Sequence, residues 1–183
     1  MTEQIYFDRQ EKLKNVIAEI GLDGMLITNL TNIRYICGFT GSSGTCLITT
    51  YGQSFITDGR YIEQSKDQVK GFVRYIDMDT NLAIIKKNKL INKDLKIGFE
   101  GDHVSFSLYY SMKRMFTDTC WESTKMILED LASVKDQTEL DAIRTAVEIS
   151  DKVYEEILPM LRPGYTEKQV ANSMVSKYRE YGD

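Results

Sequence analysis

The sequence of 183 residues predicts an α/β fold with a largely mixed sheet, followed by a segment that contains only helices. Over roughly the first 130 residues, short apolar runs of strand length alternate with segments of helical periodicity, which is typical of a layered α/β domain. From Asp136 onward, apolar residues recur only at helical spacing. We therefore expect one domain over residues 1–130 and the beginning of a second over residues 131–183.

The individual elements follow from apolar runs and the glycines that bound them. Leu13, Val16, Ile17 and Ile20 lie on one helical stripe, and Gly21 is the expected C-cap. The runs at 45–49 and 54–57 are separated by a short polar turn and predict a hairpin. The other predicted strands are 24–28, 72–76, 95–99 and an edge strand at 119–123, and the other predicted helices are 61–69, 81–90 and 105–115.

Two amphipathic helices are expected after Asp136. Asp136 with Glu139 matches a capping box, and Thr166 with Gln169 caps the second helix after a break at 162–164. Neither helix can bury its apolar stripe alone. We expect the helices to pack on each other and on a second copy, or to exchange between chains.

Composition limits the classes of function. The net charge is -4 and no stretch rich in Lys and Arg is interleaved with aromatic residues, which argues against nucleic-acid binding. No apolar run approaches the ~18 residues of a membrane span, and the charged first residues do not form a secretory signal. We expect a cytoplasmic protein in which Cys37, Cys46 and Cys120 are reduced.

The densest signal is the segment 32–44, Asn-Ile-Arg-Tyr-Ile-Cys-Gly-Phe-Thr-Gly-Ser-Ser-Gly. Glycines at 38, 41 and 44 allow its backbone to approach a ligand or another subunit closely. A tight connection between sheet elements explains the same composition. A phosphate cradle is disfavoured, because the segment lacks the spacing of a phosphate-binding loop and a strand is expected to follow it.

A second segment, Ile-Thr-Asp-Gly-Arg-Tyr-Ile at 56–62, also has two interpretations. Asp58 and Gly59 at the end of a strand indicate a turn. Arg60 directly after the turn is able to bind a carboxylate in bidentate fashion. Spacing alone leaves both interpretations open.

Together the two segments resemble the N-terminal domain of the creatinase, prolidase and aminopeptidase P family. The similarity continues through Gly-Leu-Asp-Gly-Met-Leu-Ile-Thr-Asn at 21–29, Ile-Gly-Phe-Glu at 97–100, the Lys135 to Ala146 segment and the turn at 162–167. It implies a three-layer domain followed by the first helices of a catalytic "pita-bread" domain. One departure is Ala132, where the family often has arginine.

The resemblance implies hydrolysis of the bond before a proline, or of a related amide, by two divalent metals, Mn, Co or Zn, held in the catalytic domain. It also implies that this part of the chain covers the active site and contributes to a homodimer that acts on proline-containing peptides. The residues carried over as substrate-proximal or interface candidates are Asn32, Arg34, Tyr35, Gly41, Ser42, Asp58, Arg60 and Tyr61.

We expect no catalytic residue and no metal ligand in this chain. His103 is the single histidine, and its neighbours Glu100 and Asp102 do not supply the implied set of two Asp, one His and two Glu. The parent protein is then the enzyme, and the chain alone is expected to be inactive. Two alternatives remain open, a non-catalytic peptide-binding module of the same fold and a creatinase-like hydrolase of a small amide.

Overall fold

The computed structural model of the chain describes residues 2–182, which divide after Ser133 into two compact units. The first unit contains all six strands and six α-helices, and the second unit contains two long helices. The mixed α/β fold class predicted from the sequence is thereby confirmed.

The first unit is built on one six-stranded sheet with the order β4-β3-β2-β1-β5-β6. β1 pairs antiparallel with β2 and β2 antiparallel with β3, whereas the β3–β4, β1–β5 and β5–β6 pairs are parallel. β6 lies at an edge, as predicted. The strands are β1 (Gly24–Ile27), β2 (Thr45–Thr49), β3 (Gly52–Thr57), β4 (Val73–Ile76), β5 (Lys96–Glu100) and β6 (Cys120–Thr124).

Helices cover both faces of this sheet. Those of the first unit are α1 (Thr2–Glu19), α2 (Leu30–Cys37), α3 (Ile62–Gln68), α4 (Asn81–Lys87), α5 (Phe106–Met115) and α6 (Ile127–Ser133). Alternate strand residues enter two separate cores, because successive side chains of a strand point to opposite faces. Met25 packs with α1, α2 and α6, whereas Leu26 packs with α4 and α5. This is the expected three-layer arrangement.

The end of α1 shows the predicted glycine cap. The Gly21 N–H donates to the Ala18 carbonyl, and the Leu22 N–H donates to the Ile17 carbonyl. Gly21 adopts a φ of 71°, a left-handed conformation that glycine reaches without steric cost. The chain can therefore turn directly from α1 into the buried strand β1.

Helix α2 is a feature that the sequence prediction missed. The segment 32–44 was treated as a loop, but Leu30–Cys37 is helical and only the residues after Gly38 form the loop. The Asn29 side chain caps α2 by accepting from the Thr31 N–H at 3.0 Å. Ile33, Ile36 and Cys37 are fully buried at helical spacing. This helix places the glycine-rich loop at the end of a rigid element.

The second unit consists of α7 (Gln137–Ile157), a short 3₁₀ turn (Leu158–Met160) and α8 (Glu167–Gly182). The predicted capping box of Asp136 and Glu139 is present. Thr166 and Gln169 exchange hydrogen bonds at the start of α8, as predicted.

Helices α7 and α8 pack on each other, as the sequence predicts. The Glu156 carboxylate on α7 accepts from the Tyr181 hydroxyl and forms an ion pair with Lys177, both on α8. Along α7, Ile143, Val147 and Tyr154 remain about half exposed. Association with a second copy therefore stays a prediction. No helix within residues 2–182 has the length and apolar character needed to cross a bilayer.

Candidate functional site

Five of the eight candidate residues lie together beside the glycine-rich loop. We call Gly41, Ser42, Asp58, Arg60 and Tyr61 the loop cluster. The first two belong to the loop between α2 and β2, and the last three follow β3 in a turn of 3₁₀ helix. Because β2 and β3 form an antiparallel hairpin, the loop before β2 and the turn after β3 lie side by side at the open end of the hairpin.

Tyr61 connects the turn to the loop. Its hydroxyl lies 2.7 Å from the Ser42 hydroxyl and accepts a hydrogen bond from the Ser42 N–H at 3.2 Å. These hydrogen bonds from Ser42 lower the pKa of the Tyr61 phenol. The Tyr61 ring also packs edge-on against Phe39, with ring centroids 5.3 Å apart. The phenol is therefore held in one position and is more acidic than a free tyrosine.

Gly41 has to lack a side chain at this point. A Cβ atom there would lie 2.3 Å from the Phe39 ring and 2.7 Å from the Tyr61 ring. Neither distance is possible without displacing an aromatic ring. The glycine thus lets the backbone of the loop lie directly on the two rings, and its approach to a ligand or another subunit stays a prediction.

Asp58 and Arg60 form a local bidentate ion pair. Arg60 Nε lies 2.8 Å from Asp58 Oδ1, and a second guanidinium nitrogen lies 3.0 Å from Oδ2. The Asp58 carboxylate also accepts from the Arg60 N–H at 3.1 Å and so caps the 3₁₀ turn. The hydrogen bonds from Arg60 hold the pKa of Asp58 well below its ordinary value. The segment therefore forms the predicted turn, and the Arg60 guanidinium pairs with Asp58 inside it.

Removing Arg60 is expected to raise the pKa of Asp58 towards its ordinary value of 3.8. Because the folded-state pKa is depressed, the pair stabilises the fold above the unfolded-state value and loses this effect as the pH falls through the folded-state value. Arg60→Ala should therefore reduce the pH dependence of stability on the acid side of pH 4, an approximate limit set by that ordinary value. A carbon-13 NMR titration of the Asp58 carboxylate measures the shift directly.

Arg114→Ala is the matched control for this titration, because Arg114 is an exposed arginine on α5, outside the loop cluster. It should leave the midpoint of Asp58 unchanged. An unchanged midpoint in Arg60→Ala would show that the turn backbone, and not the guanidinium, sets the acidity of Asp58.

The other three candidates lie on α2, outside the loop cluster. Arg34 is exposed. Tyr35 is half buried against the core formed with α1, α2 and α6, and the Arg9 guanidinium stacks on its ring with the charge 4.2 Å from the centroid. Asn32 is 4% exposed and donates to two carboxylates. Tyr35 therefore packs on the core of the first unit and not on the loop cluster.

Glu100 is one of the two carboxylates that accept from Asn32. The sequence indicated no role for Glu100 beyond its place in the motif at 97–100. One carboxylate oxygen accepts from the Thr28 N–H at 2.6 Å and the Asn29 N–H at 2.8 Å. The other accepts from the Asn32 amide at 2.8 Å. The Asn32 amide also donates to Glu129 at 2.7 Å. We call Glu100, Asn32 and Glu129 the carboxylate node, which joins β5, α2 and α6.

The implied pair of metals does not fit the residues described here. Both oxygens of Glu100 accept hydrogen bonds from the protein itself, and Glu100, Asp102 and His103 fall short of the two Asp, one His and two Glu that the resemblance implies. Within residues 2–182, no three His, Cys, Asp or Glu side chains are arranged as metal ligands. We derive no catalytic step from this chain.

A cleft of about 710 Å³ adjoins the loop cluster. Ser42, Ser43 and Gly44 form one wall, and the opposite wall comes from the residues that follow β5 and from the start of α5. Ser42 is the residue shared by the cleft and the loop cluster. The cleft lies entirely within the first unit.

The fold and the site are now sufficient to place the chain among known proteins. The model of the creatinase/prolidase N-terminal domain matches residues 9–134, which is more than half of the chain. The chain belongs to this family. The match begins within α1 and covers β1 to β6, the loop cluster and the carboxylate node.

Individual creatinase/prolidase relatives extend the similarity over the second unit. The chain is 36% identical over 173 residues to the uncharacterized peptidase YqhT of Bacillus subtilis, covering 94% of this chain and 49% of that protein. The structure superposes with a TM-score of 0.86 on the Xaa-Pro dipeptidase from Bacillus anthracis, at 32% identity, covering 96% of this chain and 49% of the other.

The X-Pro aminopeptidase from Thermotoga maritima superposes with a TM-score of 0.78 at 31% identity, covering 94% of this chain and 49% of the other. The chain therefore spans about half the length of the relatives that it matches.

Proposed function

We propose that this chain is the N-terminal portion of a metal-dependent Xaa-Pro aminopeptidase or dipeptidase. The observation that supports this best is the similarity to the Bacillus anthracis Xaa-Pro dipeptidase over 96% of this chain, at 32% identity. That similarity runs through both units, so it includes α7 and α8 as well as the domain of the family model. The second unit is then the beginning of the metallopeptidase domain, with the domain boundary proposed near residue 130.

In this proposal two divalent metals, Mn, Co or Zn, would be held by the remaining half of the enzyme and would supply the activated water for hydrolysis of the bond before proline. The described residues contribute no ligand to that site. Their part is to cover the active site and to form part of a homodimer contact. The loop cluster suits this role, because Ser42 and Arg60 are exposed, Phe39 packs on the Tyr61 ring and the pKa of the Tyr61 phenol is lowered.

The remaining parts of the proposal concern partners and location. We propose a cytoplasmic homodimer that acts on proline-containing peptides. The half-exposed apolar residues of α7 agree with burial in a larger assembly, because faces of this kind usually mark an interface.

Hydrolysis of Xaa-Pro peptides by the longer protein tests the proposal. The protein that continues beyond Asp183 is stripped of metal, reloaded separately with Mn²⁺, Co²⁺ or Zn²⁺, and assayed on Ala-Pro, Ala-Pro-Ala and creatine. We expect cleavage before proline with at least one metal and no cleavage of Ala-Ala-Ala. The chain of 183 residues is the matched control and should be inactive.

Each of the three substrates tests one of the alternative activities. Cleavage of Ala-Pro-Ala indicates an aminopeptidase, cleavage of Ala-Pro alone a dipeptidase, and hydrolysis of creatine alone a creatinase-like enzyme. Absence of all three activities in protein that contains metal would reject the enzyme proposal and favour a non-catalytic peptide-binding module.

A further inference from the structure

The cleft beside the loop cluster lies next to β1, the strand at which the order of strand addition switches from one side of the sheet to the other. From β1 the chain adds β2, β3 and β4 on one side, and later adds β5 and β6 on the other. The parallel neighbours β1 and β5 both end at the cleft, which is lined by Thr28 and Asn29 after β1 and by His103 after β5. In open α/β sheets, ligands bind at such switch points, outside the carboxyl ends of the strands. The volume of about 710 Å³ is in the usual range for ligand sites.

The chemistry of the lining excludes several classes of ligand. Among the described residues that line the cleft there is no Lys, Arg, Asp or Glu and no Phe, Tyr or Trp. Phosphorylated ligands are therefore disfavoured, because they are held by Lys and Arg. Nucleobases are disfavoured too, because they stack on aromatic rings.

What the lining offers is an aliphatic floor and a polar rim. The floor is formed by Leu30, which is 37% exposed, and by the half-buried Leu108, which packs on a core that contains Leu26 and Leu82. The rim carries hydroxyl and amide groups, among them those of Thr28, Asn29 and Ser105. Such groups both donate and accept hydrogen bonds, as the amides of a peptide backbone require.

We infer that this cleft binds an uncharged stretch of peptide chain whose side chains are aliphatic. The side chains lie on the leucine floor, and the backbone amides pair with the hydroxyl and amide groups of the rim. Charged side chains are disfavoured, because no Lys, Arg, Asp or Glu within residues 2–182 lines the cleft to compensate their desolvation.

This inference rests on the proposed function and extends it by assigning a peptide-binding surface to the first unit. It requires neither a metal nor hydrolysis. Binding without hydrolysis by the longer protein would reject the proposed peptidase and leave the cleft assignment intact. Hydrolysis by the longer protein without binding of the peptide in the cleft would support the proposed peptidase and reject the cleft assignment.

The test is an NMR titration of the nitrogen-15-labelled chain of 183 residues. The probe is acetyl-Ala-Leu-Ala-Leu-amide, and the charged comparison peptide is acetyl-Glu-Leu-Glu-Leu-amide. We expect saturable shifts of the amides of Thr28, Gly44 and Ser105 with the first peptide, and binding weaker by at least about tenfold with the second. Absence of saturable shifts, or shifts confined to another surface, would overturn the inference.

Two variants of one helix give a matched comparison. Ser111 lines the cleft, whereas Ser107, one turn earlier on α5, is exposed and does not line it. Ser111→Trp should fill the cleft and weaken binding of the neutral peptide by about tenfold or more, while Ser107→Trp should leave it within about twofold. Undiminished binding in a folded Ser111→Trp protein would place the peptide elsewhere.

Leu30→Glu is a second variant that tests the cleft if the Ser111→Trp protein does not fold. Leu30 lines the cleft, is 37% exposed and occupies the first turn of α2, where a carboxylate is favourable for the helix. This variant should stay folded. It should weaken binding of the neutral peptide by several-fold and exclude the acidic peptide. Unchanged affinity for both peptides would contradict the inference.

Discussion

Glu100→Ala is expected to destabilise the first unit by about 2–4 kcal/mol. The substitution leaves the Thr28 and Asn29 N–H groups and one bond of the Asn32 amide without their acceptor. A partly buried donor left unpaired costs about 1–3 kcal/mol, less where water can enter. Because Asn32 keeps its bond to Glu129, we place the total below the simple sum.

Urea unfolding followed by tryptophan fluorescence measures this loss. Trp121 is the single tryptophan and is 7% exposed on β6, so its emission reports on the first unit alone. Glu122→Ala is the matched control. Glu122 is an exposed carboxylate on β6, and its ion pair with Lys96 has a long N–O distance of 3.7 Å. Exposed pairs contribute about 0–1 kcal/mol.

Glu100→Gln separates hydrogen bonding from charge. Its carbonyl oxygen can still accept from the Thr28 and Asn29 N–H groups, but its amide nitrogen then faces the Asn32 donor. We expect a loss smaller than that of Glu100→Ala and larger than that of Glu122→Ala. If Glu100→Ala is as stable as Glu122→Ala, water replaces the carboxylate and the node does not hold β5, α2 and α6 together.

The sheet was largely predictable because its strands are short apolar runs bounded by glycine and polar residues. Leu95 to Phe99 and the hairpin at 45–57 are examples of this pattern. Helix α2 was missed although Ile33, Ile36 and Cys37 have helical spacing and Asn29 is a good N-cap. The helix has only eight residues and ends at Gly38. Its helical periodicity therefore did not outweigh the loop signal of the three glycines.

The candidate site was predictable only where its contacts are local. Asp58 and Arg60 are two residues apart, and the sequence indicated both the turn at Asp58 and the ability of Arg60 to bind a carboxylate. The contact between Ser42 and Tyr61 joins residues 19 positions apart and depends on how the hairpin places its two ends. The groups that donate hydrogen bonds to Glu100 are 68 to 72 positions away, and no spacing rule connects them. Residues 97–100 were recognised as a motif, but their role required the fold.

Phe39→Ala is expected to destabilise the first unit by about 3–5 kcal/mol and to release the loop cluster at the same time. Phe39 is 1% exposed, and its ring lies 4.7 Å from that of Phe55 and 5.3 Å from that of Tyr61. Removing a buried phenylalanine loses its burial and leaves a cavity, which together cost this amount. Urea unfolding monitored by Trp121 fluorescence gives the stability change.

The second effect of Phe39→Ala is on the acidity of Tyr61. The Phe39 ring supports both the Tyr61 ring and the backbone at Gly41, so its loss should loosen the hydrogen bonds from Ser42. Because those hydrogen bonds lower the pKa of Tyr61, we expect that pKa to rise towards the ordinary value of 10.0. A titration of the Tyr61 ring carbon attached to the hydroxyl, followed by NMR, measures it.

Two further variants show whether Phe39 acts as a support for the loop cluster or only as part of the core. Phe106→Ala removes a ring that is 83% exposed on α5 and should change stability by no more than about 0.5 kcal/mol. Phe39→Leu keeps an apolar side chain but no ring, so it should recover part of the stability while the pKa of Tyr61 still rises. If stability falls in Phe39→Ala but the pKa of Tyr61 stays low, the Ser42 hydrogen bonds are maintained by the loop itself. The glycines at 41 and 44 would then serve the loop's own conformation and not its contact with the core.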